Sequence, residues 1–306
     1  MLTIGNYHYI RENFRTKYPS IFGITPKLFQ EQLLLLQSKG DFISSYDLLS
    51  DGNSIIKSKE NYFFITFDDG LKEQFNFALP ILDTLSIPAV FFVNSRNFQD
   101  LKMSTVHKTH LLRSILSPSE FLDKMDKLNS LNSLSVSDIV RSQNIYIYDD
   151  KESASLKYLL NFKIDFKLQD EIISNIFENY FDEKKVLSEL YMSKNEIITL
   201  SKYGFLGSHT HNHFPIGLME KNELQSELQN SKIYLEQLTN TKIELVAYPY
   251  GTPEACTEEV AKIAKEVGYK FGFTTSRGVN TNFNNYLLLN RMDCNDLPGG
   301  KNYKGI

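Results

Sequence analysis

Three of the six histidines in this 306-residue chain fall inside five positions, in the stretch GSHTHNH at residues 207–213. If the stretch is extended, His209, His211 and His213 share one face, because strand side chains alternate with a period of two. If it forms a helical turn, His209 and His213 at i and i+4 share a face instead. Either geometry makes a chelating pair, and the sequence leaves the choice open. A second group of interest is Asp68–Asp69, which ends the apolar run NYFFITFDDG just before Gly70. Adjacent strand residues point to opposite faces, but a turn at the glycine can bring both carboxylates to one cleft. One acid can then hold a cation while the other stays free to accept a proton. The third element is AYPYG, residues 247–251. There Pro249 and Gly251 bracket Tyr250 in a tight loop, and the Tyr250 backbone N–H is a candidate donor to a developing oxyanion.

Taken together, two imidazoles and one carboxylate form a three-ligand set with coordination positions left open. That set suits one divalent ion, zinc first, with Co, Ni or Fe(II) also compatible. Such an ion brings the pKa of bound water to about 7. The chemistry indicated is metal-assisted hydrolysis of an amide or ester.

These residues need elements to position them. LTIGNYHYI reads as a strand, and TPKLFQEQLLLLQSKG as a helix with Thr25 as N-cap, Pro26 at the first helical position and Gly40 as its stop. NYFFITF, a helical segment and then IPAVFFVN make a strand–helix–strand unit, which implies a parallel sheet. The rhythm resumes at Ser193, where SKNE is a capping box. Strands at FLGSH, IELVA, KFGFTTS and NYLLLNRMDC then alternate with two helices. Polar residues at the strand ends point to a distorted or incomplete (β/α) barrel of seven to eight strands. In such barrels active sites gather at the C-terminal ends of the strands. An open doubly wound sheet is the alternative. Residues 98–192 carry helical patterns and Ser/Asn-rich connections and read as a mostly helical insertion or cap on a single 1–306 catalytic domain.

The three motifs, in this order, resemble the polysaccharide deacetylase family, metal-dependent carbohydrate esterases with a NodB-homology domain. The resemblance rests on TFDDG (66–70), HTHNH (209–213) and PYG (249–251), and the N-terminal YHYI is also similar to relatives. It implies Asp68 as general base, Asp69, His209 and His213 as metal ligands, and Tyr250 as oxyanion donor. It also implies a distorted (β/α) barrel that removes an N-acetyl, or less often an O-acetyl, group from a sugar. The sequence departs from the family pattern at two places. Ala247 stands where an arginine often orients the base, which leaves Arg277 and Arg291 as candidate partners of Asp68. No histidine follows His213, and Arg291 falls where a late acid histidine is expected. An arginine is a poor acid, with a pKa above 12. The candidates for a general acid are therefore His8, then His107 or His110, then His211.

Composition limits the other readings. The net charge of −4 comes without a basic stripe, so nucleic acid is not an expected partner. The two cysteines build no disulfide framework. No stretch approaches the roughly 18 apolar residues that span a bilayer, and the N-terminal residues lack a secretory pattern. The expectation is a soluble cytoplasmic enzyme acting on an acetylated sugar, a sugar nucleotide or a lipid-linked glycan. The alternatives are an amidohydrolase of the same fold acting on a small cyclic amide, imide or ureide, and a non-catalytic glycan-binding relative.

Overall fold

The structure is a computed structural model that describes residues 1–14, 23–129, 134–145, 149–281 and 285–304. The chain divides into two compact units. One comprises Met1–Thr16, Phe22–Lys102 and Leu187–Ile306, and the other comprises residues 17–21 and Met103–Val186.

The first unit is a curled, all-parallel sheet with helices around it. Its strands are β1 (Leu2–Tyr7), β2 (Asp41–Phe42), β3 (Tyr62–Phe67), β4 (Ala89–Val93), β5 (Leu206–Ser208), β6 (Leu245–Ala247), β7 (Phe271–Phe273) and β8 (Met292–Asp293). The path runs β8-β1-β3-β4-β5-β6-β7, with β2 paired to the first residues of β3. The stretch before β8 hydrogen-bonds back to β7, through Leu289 N–H to Gly272 O at 2.8 Å and Thr274 N–H to Leu289 O at 2.9 Å. One segment thus touches both ends of the curl, as a distorted (β/α) barrel requires. The open doubly wound alternative does not hold.

Apart from β2 and the end of β8, the strands are buried on both faces, which explains their near-continuous apolar sequences. On one face, Tyr7, Phe67, Phe91, Val93 and Val246 pack with residues of the helices Pro26–Gln37, Leu79–Leu85, Lys194–Lys202, Lys221–Thr239 and Glu258–Val267. On the other, Ile4, Phe64, Val90, Phe92 and Phe273 pack together with the helix Ser45–Lys57. Phe64 and Phe92 meet Phe273 with ring centroids 5.8 and 5.2 Å apart.

The helix Ser45–Lys57 is not marked by the sequence pattern, because Asp51, Gly52 and Asn53 interrupt it with poor helix formers. Packing decides instead. A Cβ at Gly52 would come 2.7 Å from the Phe271 ring, so only glycine lets helix and strand approach this closely. A capping box from Ser44 and Asp47 starts the helix. Elsewhere Thr25 accepts from Leu28 N–H and Ser193 pairs reciprocally with Glu196 as expected, whereas the Thr25 helix ends at Gln37 with Ser38 as its C-cap, three residues before Gly40.

The segment after β3 opens as a single π-turn, Gln74–Ala78, before Leu79–Leu85. Leu79 N–H reaches Gln74 O, a wider span than in an α-helix. Pro80 has no N–H to give the Asn76 carbonyl, so the regular ladder cannot run through this point.

The described part of the second unit is helical, with helices Thr105–Arg113, Pro118–Asn129, Val136–Ile145, Lys151–Phe162 and Phe166–Phe177 among its elements. It begins and ends a few residues inside the 98–192 range read from sequence, because the flanks are tied to the barrel. Asn97 Nδ2 donates to Lys102 O, and Met192 N–H donates to Gly70 O. Residues 130–133, within the Ser/Asn-rich connection, lie outside the described residues. Among the described residues no helix is long and apolar enough to cross a membrane.

Candidate active site

Register places the chemistry. Parallel pairing aligns Tyr7 with Phe67, Phe67 with Phe91, and Val93 with Ser208. His8, Asp68, Asn94 and His209 are therefore each the first residue past a strand end, on one rim of the sheet. Tyr250 follows β6 by three residues.

Asp69 has φ 79° and Gly70 φ 65°, the turn that swings the second carboxylate to the same rim as the first. Seven non-glycine residues have positive φ among those described, and Asp69, Thr210, His213 and Tyr250 are four of them. Such backbone costs about 1–3 kcal/mol per residue and persists only where the surroundings enforce it. Its concentration here marks the rim as a built site.

Asp69 Oδ1 lies 3.2 Å from His213 Nε2 and 3.6 Å from His209 Nε2, and the three ligand atoms all fall within 4.8 Å of one another. Two donors about 2.1 Å from one tetrahedral or octahedral ion stand roughly 3.0–3.4 Å apart, so these separations suit a shared cation. Tautomer chemistry fits as well. His209 Nδ1 is 2.8 Å from the Ala247 carbonyl, which can only accept, so Nδ1 carries the proton and the Nε2 lone pair faces Asp69. Burial lowers the His209 pKa to about 4, against the opposing pull of Asp68 and Asp69, so the ring is in the neutral, ligating form.

The histidine stretch is neither a helical turn nor an extended strand. Left-handed residues at Thr210 (φ 62°) and His213 (φ 61°) fold it into a loop. His209 and His213 converge, with ring centroids 5.0 Å apart. His211 points elsewhere, with Nδ1 2.7 Å from Ser95 Oγ and Nε2 3.2 Å from Asp100.

Asp68 is a different kind of acid. Arg291 grips it bidentately, Nη1 to Oδ1 at 2.8 Å and Nη2 to Oδ2 at 2.7 Å, with both side chains almost fully buried. Nε of the same guanidinium donates to Thr274 O, and Nη1 also reaches Asn6 Oδ1 at 3.1 Å. Burial pushes the Asp68 pKa up, but Arg291, His209 and His8 together outweigh it and hold the carboxyl below its ordinary value. Arg291, just before β8, thus supplies the cation that Ala247 lacks. Arg277 pairs instead with Asp296, at 3.6 Å.

His8 Nε2 stands 3.7 Å from Asp68 Oδ2 on the partly open side. Gln74 Nε2 donates to the carbonyls of both His8 and Asp68, at 2.8 and 2.6 Å. The π-turn that carries Gln74 thereby ties β1 and β3 together beneath the site. The Tyr250 ring meets His213 at 5.6 Å between centroids. Thr275 crowds Gly251 so closely that a Cβ there would lie 2.4 Å from it, and Thr275 Oγ1 donates to Tyr250 O at 3.0 Å. His107 and His110 belong to the helical unit, where their rings lie 6.0 Å apart.

Sequence reasoning passed over Asn6, Gln74, Asn94, Ser95 and Glu227. Glu227 carried a signal, since it is a carboxylate next to Leu224 and Leu228 on the buried face of its helix. The others are ordinary polar residues until the fold collects them.

Residues 56–121 and 175–272, more than half of the chain, match the polysaccharide deacetylase family, and the chain belongs to that family. The family is named for deacetylation of polysaccharides. Among particular relatives, a 110-residue segment is 24% identical to YxkH of Bacillus subtilis strain 168, which carries a provisional polysaccharide deacetylase name. That match covers 36% of this chain and 38% of YxkH. The fold is shared with the deacetylase PplD of Streptococcus pyogenes, solved with acetate, at TM-score 0.57 and 19% identity over 95% of this chain and 91% of PplD. It is shared also with IcaB of Ammonifex degensii, at TM-score 0.57 and 16% identity over 95% of this chain and 90% of IcaB.

Proposed function

We propose that this protein is a metal-dependent hydrolase that removes an N-acetyl, or less often another acyl, group from a sugar in surface-polysaccharide or glycan metabolism. The observation that carries the reading is the division of labour on the rim. Asp69, His209 and His213 converge with cation-like spacing, while Asp68 beside them is neutralised by Arg291. Zinc suits the donor set best, and a bound ion would activate water and polarise the acetyl carbonyl near neutral pH.

The chain's own residues supply the rest. Asp68, kept ionised by Arg291, accepts a proton from the attacking water. The Tyr250 N–H donates to the oxyanion as the carbonyl carbon becomes tetrahedral. His8, which shares the cleft with Asp68, protonates the departing amine. Arg291 acts through Asp68 and is a positioning residue. The substrate class is an acetylated glycan, a sugar nucleotide or a lipid-linked sugar, met in the cytoplasm.

The test is acetate released from, and free amine formed on, N-acetylglucosamine oligosaccharides by zinc- or cobalt-loaded protein, compared with Asp69→Ala. Amine that appears only with the wild type supports the reading. Ring opening of a cyclic ureide without amine formation on the sugars would replace it with the amidohydrolase alternative.

A further inference from the structure

The metal loop holds two left-handed non-glycine residues within five positions, a conformation a free loop would not keep. Two sets of bonds enforce it. From one side, backbone bonds dock the loop on the end of β4. His209 N–H donates to Val93 O at 2.9 Å, and Ser95 and Arg96 N–H donate to Thr210 and His211 O, each at 3.2 Å. Asn94 Nδ2 also donates to His209 O. His211 closes this side by bridging Ser95 and Asp100. Because a carboxylate only accepts, Nε2–H donates to Asp100 and Nδ1 accepts from the Ser95 hydroxyl.

From the other side comes Glu227, on the helix Lys221–Thr239 and only 5% exposed. Its Oε2 accepts the Asn212 backbone N–H at 2.8 Å, and its Oε1 accepts the Asn212 side-chain amide. Asn212 is the residue just before His213. A buried carboxylate is expensive unless its oxygens are met, and both Glu227 oxygens bond the same residue of the metal loop.

We propose that Glu227, together with the Ser95–His211–Asp100 bridge, is the positioning device that shapes the 209–213 loop for its ion before the ion arrives. The inference rests on the metal-site reading above. It gives His211 a role as a brace rather than an acid, and it assigns Glu227 to metal affinity although no ligand atom of Glu227 is in the triad.

The experiment measures Co(II) affinity of metal-free protein from its visible absorption, in competition with a chelator. It is paired with hydrogen exchange at the Asn212 amide. Glu227→Gln and Asp100→Asn are expected to weaken Co(II) binding about 10–100-fold, the range for groups that orient ligands. At saturating Co(II) their kcat returns to within about threefold of wild type, since no reacting group has been removed. The exposed-surface control Glu259→Gln leaves affinity unchanged. In metal-free wild type the Asn212 amide is protected, and Glu227→Gln removes that protection. Wild-type Co(II) affinity and Asn212 protection in Glu227→Gln would overturn the inference while leaving the metal site standing. A wild type that binds no Co(II) would overturn the metal reading and, with it, any role of Glu227 in metal affinity.

Discussion

Two adjacent carboxylates at the end of one strand have opposite surroundings. Asp68 is charge-compensated from within the protein by a buried, bidentate arginine just before β8. Asp69, one residue on and turned by a left-handed backbone, faces two imidazoles, of which His209 is kept neutral by its burial. The difference separates two tasks that neighbouring acids would otherwise confuse. A carboxylate with its own cation is no competitor for a metal, and a carboxylate beside the neutral His209 imidazole is suited to hold one.

The comparison is broken most severely on the metal side. Asp69→Ala and His213→Ala should each lower kcat/KM by about a thousandfold or more, since the ion is asked for several kcal/mol of stabilisation. Both variants should lose bound metal. Asp68→Asn should lower kcat by roughly 10²–10⁴-fold, the worth of a general base, yet retain metal at the wild-type stoichiometry. Loss of metal from Asp68→Asn would erase the distinction between the two acids.

Arg291→Met sharpens it further. Removing one partner of a buried ion pair costs on the order of 3–5 kcal/mol, to be read from chemical denaturation. The pKa of Asp68 rises without its arginine, so the acidic limb of the kcat/KM profile should move to higher pH. An unchanged limb would remove Asp68 as the base.

Acid should also destabilise the metal-free protein through His209. Unfolded histidine binds its proton near 6.5 and the folded residue near 4. Between these values the unfolded state holds more protons, so stability falls as pH drops through this window. The loss should total on the order of 3 kcal/mol, and His209→Gln should flatten that slope. The smallest effect belongs to Tyr250→Phe, expected within about threefold of wild type because the proposed donor is a backbone N–H that any side chain preserves.

The sequence makes the strands and the three motifs legible because both-face burial leaves unbroken apolar runs that end abruptly in polar residues. Asp68 and Asp69 after the phenylalanine-rich β3 and His209 after β5 announce themselves in that way. From the sequence, Arg277 and Arg291 are both open as partners of Asp68. The choice depends on the register of β8 against β1, which is set by pairing of Gly5 with Met292 across nearly the whole chain. The loop geometry of 209–213 was equally hidden, because left-handed values at a threonine and a histidine run against local preference and come from tertiary bonds. Helix Ser45–Lys57 escaped notice for a related reason, since its glycine serves packing against Phe271 rather than helix formation.

The account turns on a cation at Asp69, His209 and His213. The most direct measurement is metal content per chain in purified wild type beside Asp69→Ala and His213→Ala. About one transition-metal ion per wild-type chain, lost in both variants, is the predicted result. Wild-type protein that takes up no metal even after reconstitution would contradict it.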